Sequence, residues 1–187
     1  GSLEISRNRA VELLVRTQTR GLVQSGEGRP RLTPEGRNYA LRVIRVHRLW
    51  EHHLAEETGT AASEWHSSAE FREHDITESE ADHLAEQMGD PAFDPHGDPI
   101  PTKDGKIAQR KVCNLLECRR DVALTVKLVT DQGAEFLNFA RRKGLVPGAS
   151  IEVISRDLVS DAVELRIGKT KPFTLGSKAA RKILVAP

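Results

Sequence analysis

The sequence predicts an α+β fold, with helices through its first half and a small β-barrel in its second. Three observations carry that prediction. Apolar residues recur at helical spacing as far as about residue 89, proline and glycine crowd residues 90–105, and short alternating runs bounded by turn residues follow from about Val112. At 187 residues the chain can bury a core without disulfides or a structural metal.

Each element has its own signature. Ser6 is an N-cap, Ala10, Leu13, Leu14 and Thr17 recur at helical spacing, and Gly21 stands where a C-terminal cap belongs, which makes a short basic helix. Leu22 to Leu32 reads as a hairpin around Ser25-Gly26-Glu27-Gly28-Arg29, and a helix followed by a basic hairpin resembles the recognition helix and wing of a winged helix-turn-helix. Thr33-Pro34 starts the longest helix, an N-cap with proline at the first helical position, and Gly59 ends it after Thr58. A second helix is expected over Ala62 to Glu73, and a third from Thr77, whose capping box Glu80 completes, to Gly89. Asp90 to Gly105 holds four prolines and two glycines and reads as an extended loop or linker. The runs 123–129, 151–154 and 162–167 are strands, a helix is expected over Gln132 to Lys143, and five or so strands make the barrel.

Charge is segregated along this plan. Residues 1–46 carry nine Arg against four Glu, residues 47–100 two Arg against fourteen Asp or Glu, and residues 101–187 seventeen basic against nine acidic groups. All seven histidines fall in the acidic middle, which implies cation binding beside a segment suited to a polyanion. Cys113 and Cys118 are too few for a disulfide framework and too far apart in sequence for a C-x-x-C site, so a reducing cytoplasm is the expected setting. No apolar run approaches the roughly 18 residues a membrane helix needs, and no signal segment opens the chain. Gly1-Ser2 reads as a remnant of cloning and the pattern after it starts in mid-motif, so the chain is expected to be part of a longer polypeptide.

The chemistry lies on the two central helices. His47 and Glu51 stand four apart within the apolar stripe Ala40, Val43, Ile44, Trp50 and Leu54, where a carboxylate is costly unless it is paired or holds a metal. His66, Glu70, Glu73 and His74 share one face of the next helix. Three imidazoles and three carboxylates without a thiolate suit Mn(II), Fe(II), Co(II), Ni(II) or Zn(II), and the carboxylate content leans towards Mn(II) or Fe(II). His52, His53 and His83 are read as surface residues and His96 as loop structure. The paired Glu-x-x-His motif of di-iron enzymes is absent, as are a nucleophile constellation and a phosphate loop, so an enzyme is not expected.

Leu32-Thr33-Pro34-Glu35-Gly36, His47-Arg48-Leu49-Trp50-Glu51, His66 with Glu70, Glu73 and His74, and Pro95-His96-Gly97-Asp98-Pro99-Ile100-Pro101 together resemble the diphtheria-toxin-repressor family of iron- and manganese-dependent regulators. The resemblance implies four segments: a partial winged helix (1–36), a helical dimerisation and metal-binding domain (37–101), a linker (102–111) and an SH3-like domain similar to small ferrous-iron-transport proteins (112–187). It implies one metal site at His47, Glu51 and His66 and another at Glu70, Glu73 and His74, with glutamate at position 70 leaning towards manganese. Asp131, Gln132 or Glu135 could lend a further ligand to the first site. In a homodimer, Arg7, Arg9, Arg16 and Arg20 would meet bases or phosphates of double-stranded operator DNA, and Arg29 and Arg31 on the wing would add backbone contacts. The sequence departs from the family at its beginning, where the first helices of the winged domain and a first-helix metal ligand have no counterpart. His-Arg-Leu-Trp-Glu is also similar to the version of this module fused to permease subunits of metal transporters, which would make the chain a cytoplasmic metal-sensing tail.

Overall fold

A computed structural model describes residues 6–26, 28–61, 64–131, 133–157 and 159–187. Helix α1 (Arg7–Thr19) is capped by Ser6 and buries none of its residues. Strands β1 (Val23–Gly26) and β2 (Arg29–Leu32) pair antiparallel, with Val23 opposite Leu32 and Gly26 opposite Arg29. Helix α2 (Pro34–His53) follows directly, its N-terminus capped by the Thr33 hydroxyl, which accepts from Gly36 N–H at 2.9 Å. A Cβ at Gly36 would lie 1.8 Å from the Leu22 carbonyl oxygen, so only glycine lets the hairpin and this helix meet so closely.

The long helix does not stay α-helical to Thr58. After His53 it widens into a π-helical turn, Leu54–Thr58, and Gly59 at φ +67 ends it in the left-handed region. Helix α3 spans Trp65–Arg72, shorter than its pattern suggested, and Glu73 and His74 lie in the turn beyond it. Helix α4 (Glu78–Gln87) carries the expected capping box between Thr77 and Glu80. Its Ala81 and Ala85 pack with Val46, Leu49 and Ile100 into a small core.

The segment 90–105 differs most from expectation. It folds into a packed turn in which Asp94, His96, Ile100 and Pro101 are buried and Phe93 bridges to Pro99. Half-buried arginine partners, Arg45 and Arg48, and backbone hydrogen bonds supply the order that composition alone did not reveal. Residues 102–111 are almost all exposed.

The C-terminal half is a six-stranded antiparallel sheet flanked by helices. Its strands are β3 (Cys113–Asn114), β4 (Ala123–Val129), β5 (Ser150–Asp157), β6 (Ala162–Ile167), β7 (Phe173–Gly176) and β8 (Ile183–Ala186), in spatial order β3-β8-β4-β5-β6-β7. Helix α5 (Ala134–Arg142) lies between β4 and β5 in sequence, and the short α6 (Ser177–Ala180) between β7 and β8. β3, β7 and β8 exceed the predicted strand set because none is long enough to show alternation. Alternate residues of β4, β5 and β6, such as Leu124, Val126, Ile151, Val153, Val163 and Leu165, fill one core with Leu115, Leu145 and Ile183. The arrangement is an α+β fold with an SH3-like β domain at its C-terminus.

Candidate metal centre

Residues four apart on α2 share a face, and this brings His47 and Glu51 towards α3, from which His66 projects. Trp50 holds the two helices together: its indole N–H donates to Ser68 Oγ at 3.2 Å, and Arg72 stacks over its ring at 5.1 Å. The donor atoms then converge. His47 Nε2 is 3.2 Å from Glu51 Oε1 and 3.1 Å from His66 Nδ1, and His66 Nδ1 is 3.2 Å from Glu51 Oε1. These edges match those between neighbouring ligands of one octahedral ion, which at bond lengths of ~2.1 Å are about 3 Å. His47, Glu51 and His66 are the one group of three such donors close enough to share an ion among the described residues.

Burial makes the arrangement demanding. Glu51 is only 2% exposed, so its carboxylate has lost nearly all its water and is surrounded by imidazoles, with no Lys or Arg among its ion-pair partners in the described residues. Burial pushes its pKa up, but the hydrogen bond and charge of His47, with His96 and His66, outweigh this and hold the group below the usual glutamate range. Burial likewise lowers the basicity of His47, yet Glu51 and Glu73 together raise its pKa. A divalent cation would satisfy the same carboxylate without protonating either ring, so the donor set fits such an ion.

Glu73 takes a different position from the one its spacing suggested. Its Oε2 lies 2.6 Å from His47 Nδ1, on the far side of the ring from the cluster. A carboxylate there orients the imidazole and strengthens Nε2 as a donor. Glu70 Oε1 is 3.4 Å from His66 Nε2, and His74 Nε2 is 3.6 Å from Glu73 Oε1, with Glu70 and His74 largely exposed. Glu70, Glu73 and His74 thus form no converged trio of their own. The reason is local: α3 ends at Arg72, so the last two leave the helical face that Glu70 occupies.

His96 is the residue that sequence reasoning passed over. It is 6% exposed, its Nε2 is 4.0 Å from Glu51 Oε1, and its ring lies 5.9 Å from that of Trp65. Burial lowers its pKa, keeping the imidazole neutral and able to donate a lone pair. A signal existed in the carboxylates at positions 94 and 98 on either side of it. Arg48 donates to Asp98 Oδ1 at 3.2 Å and to the Pro99 carbonyl at 2.6 Å, while Asp94 Oδ1 accepts from the backbone N–H of His96 and of Asp98, each at 2.9 Å. Burial, then the charges of Asp98 and Glu51, push the Asp94 carboxyl up to about 7. A cleft of about 470 Å³ opens beside the cluster, lined by His47, Glu51, His66, Glu73, Asp94 and Asp98 among others.

The remaining predicted positions lie elsewhere. Asp131 is paired with Lys182, Glu135 is exposed on α5, and Gln132 lies outside the described residues. Arg7, Arg9, Arg16 and Arg20 are exposed on or just after α1, and Arg29 and Arg31 are exposed on β2. Arg9 forms an ion pair with Glu12 at 2.7 Å. Gln18 donates to Ser25 Oγ at 2.9 Å, linking α1 to the hairpin.

A helical module with two histidines and a carboxylate converging between helices, joined to a basic hairpin and a small β domain, defines the class of metal-dependent regulators. Residues 33–102 match the family described as iron dependent repressor, metal binding and dimerisation domain, and residues 113–187 match the FeoA domain. A solved manganese-dependent transcriptional repressor in complex with manganese superposes with a TM-score of 0.88 and 31% identity, covering 98% of this chain and 86% of that one. The iron-dependent repressor of Mycobacterium leprae is 29% identical over 164 residues, 81% of this chain and 71% of that protein. A probable metal transport system membrane protein of Chlamydia trachomatis is 36% identical over 87 residues, which are 46% of this chain and 19% of that protein. The chain therefore spans 71% of the length of the mycobacterial repressor and 19% of that of the chlamydial transport protein. It belongs to the diphtheria-toxin-repressor family of iron- and manganese-dependent regulators.

Proposed function

We propose that the chain is the metal-sensing part of a dimeric transcriptional regulator that binds operator DNA when a divalent ion, Mn(II) or Fe(II), is held by His47, Glu51 and His66. The observation that carries this reading is the buried Glu51 carboxylate, which meets two imidazole nitrogens at 3.2 Å. His96 stands as a further nitrogen donor, and Glu73 orients His47 from behind. Glu70, Glu73 and His74 are the second candidate ligand set, and an ion there would have to draw together donors that do not converge in this structure.

The ion supplies charge neutralisation and a crosslink between helices. The chain's own residues do the rest: His47 and Glu51 anchor it on α2, His66 draws α3 in, and Trp50 with Ser68 fixes the two helices in register. Fixing these helices would order the dimer and set two copies of α1 about one DNA turn apart, roughly 34 Å. Arg7, Arg9, Arg16 and Arg20 would then meet bases or phosphates, with Arg29 and Arg31 on the backbone beside them. Zn(II), Co(II) or Ni(II) would also fit this donor set in vitro.

The repressor reading rests on structures that cover 98% of the chain, whereas the chlamydial transport proteins match fewer than half of its residues. A sensing tail on a permease would use the same centre. We read the chain as non-enzymatic, since nothing in the cleft supplies a nucleophile with its base. No helix among the described residues is long and apolar enough to cross a membrane.

Calorimetric titration with Mn(II) tests the centre. Enrichment of bound sequences from a random duplex library, with and without Mn(II), tests the output: selective enrichment only with the ion is expected, and identical enrichment in its absence would overturn the switch.

A further inference from the structure

The turn at residues 93–101 touches both halves of the molecule. On its helical side Arg48 grips Asp98 and the Pro99 carbonyl, while Arg45 donates to the Pro101 carbonyl at 3.1 Å and pairs with Asp82 at 2.8 Å. His47 and Glu51 flank Arg48 on the same helix, so the turn is anchored directly behind the candidate ligands.

On its other side the turn meets β4. The backbone N–H of Val129 donates to the His96 carbonyl at 3.1 Å. Gly97, at φ +91, comes so near the strand that a Cβ would lie 1.9 Å from the Lys127 carbonyl oxygen. That carbonyl is free to face the turn because β4 slips register against β8 between Val126 and Leu128, leaving Lys127 outside the ladder. It accepts from Arg110 Nη1 at 3.1 Å, and the Arg110 guanidinium carbon lies 3.0 Å from the centroid of the Phe93 ring. Arg110 thus reaches from the end of the exposed linker to touch the turn and the bulge at once. From the β domain Arg141 also stacks over Trp65, at 5.5 Å, on the helix that carries His66.

We propose that Arg110 and Gly97 are positioning residues for the metal centre: by seating the β4 bulge on the 93–101 turn they fix the His96 imidazole beside Glu51, so ion binding and docking of the β domain strengthen each other. The inference rests on the metal-binding reading of His47, Glu51 and His66. The turn has little slack, since Arg48 and the Asp94 hydrogen bonds hold one side of it and β4 holds the other. Releasing β4 removes the partner of the His96 carbonyl, and the ring attached to that residue loses its fixed distance to Glu51. By linkage, whatever ion binding gains from docking, docking gains from the ion.

Two readouts on the whole chain separate this from a packing role: Mn(II) affinity by calorimetry, and the rate of tryptic cleavage within residues 102–111 after Lys103 and Lys106, sites that every variant keeps. Mn(II) should slow that cleavage in the wild-type chain. Arg110→Ala should weaken Mn(II) binding about fivefold to tenfold and abolish the protection, while the melting temperature of the β domain stays unchanged. Arg110→Lys, which keeps a cation over Phe93, should recover most of the affinity, and Gly97→Ala should lose more than Arg110→Ala. If the wild-type chain binds Mn(II) and Arg110→Ala binds it equally well, the coupling is wrong and the metal centre stands. A wild-type chain that takes up no Mn(II) would overturn the metal reading and the coupling with it.

Discussion

The two halves of the chain are held together by different means. In the β domain, strands β4, β5, β6 and β8 and the segment around Leu115 bury a continuous apolar core that needs no ligand. In the helical half the clustered apolar core is Val46, Leu49, Ala81, Ala85 and Ile100, with Leu54 and Ala69 buried outside that cluster, three of the seven being alanines. Beside the α2–α3 contact Glu51 meets His47 and His66, with His96 reaching in from the 93–101 turn. One half is stable by burial, whereas the other is built around a charge that water has left. The helical half should therefore respond steeply to an ion, and the β domain should not.

The sharpest way to break this contrast is Glu51→Ala. For the wild-type chain, Mn(II) at about a thousand times its dissociation constant should raise the stability of the helical transition by about 4 kcal/mol. The variant should lose nearly all of that gain. Urea unfolding followed by far-ultraviolet circular dichroism, with and without Mn(II), reads the difference, and an undiminished gain in the variant would remove Glu51 from the centre.

The converse change lies in the β domain. Leu165 is fully buried on β6, and Leu165→Ala should cost about 2–5 kcal/mol through lost burial and the cavity left behind. Because the cavity lies within the sheet's own core, Mn(II) affinity should stay within about twofold. A large fall in affinity would show that the two halves share one core after all.

The same contrast governs what could be read from the sequence. Caps and periodicity placed α1, α2 and α4 well, because Ser6, Thr33 and the Thr77–Glu80 box act through local hydrogen bonds. His47, Glu51 and His66 were legible for a related reason: a polar pair on an apolar stripe needs a partner, and the next helix offered one. What was hidden depends on contacts distant in sequence. The order of the 93–101 turn comes from Arg45 and Arg48, some fifty residues upstream, so its prolines suggested a linker and His96 was passed over. Glu73 shares a helical period with Glu70, but α3 ends before it and it turns to His47 instead. Strands β3, β7 and β8 are two to four residues long and exist only because longer neighbours offer an edge.

A smaller effect follows from protons, again confined to the helical half. The pKa of His47 lies above 6.5 in the folded chain, so its proton stabilises the ion-free fold fully below pH 6.5, and that stabilisation is lost as pH rises through the raised value. The ion needs the bare ring. Below the raised pKa each unit of pH should therefore weaken Mn(II) binding by roughly tenfold, while Glu51, with its depressed pKa, stays ionised throughout. Calorimetry at pH 6 and pH 8 measures this, and equal affinities at the two would mean that His47 does not bind the ion through its titrating nitrogen.

The least perturbing test lies on α4, which belongs to the helical half yet touches no candidate ligand. Thr77→Ala removes the hydroxyl arm of the capping box, which accepts from Glu80 N–H and donates to the Glu80 carboxylate, while the backbone N–H at position 77 keeps its bond to that carboxylate; the change should cost about 1 kcal/mol. Ala81 and Ala85 pack against Val46 and Leu49, close to His47 and Glu51 in α2, so fraying at Thr77 could reach the centre only by loosening that small core. The expected result is a lower melting temperature for the helical transition with unchanged Mn(II) affinity. A matching loss of affinity would mean that α2 holds its ligands in place only while α4 is packed against it.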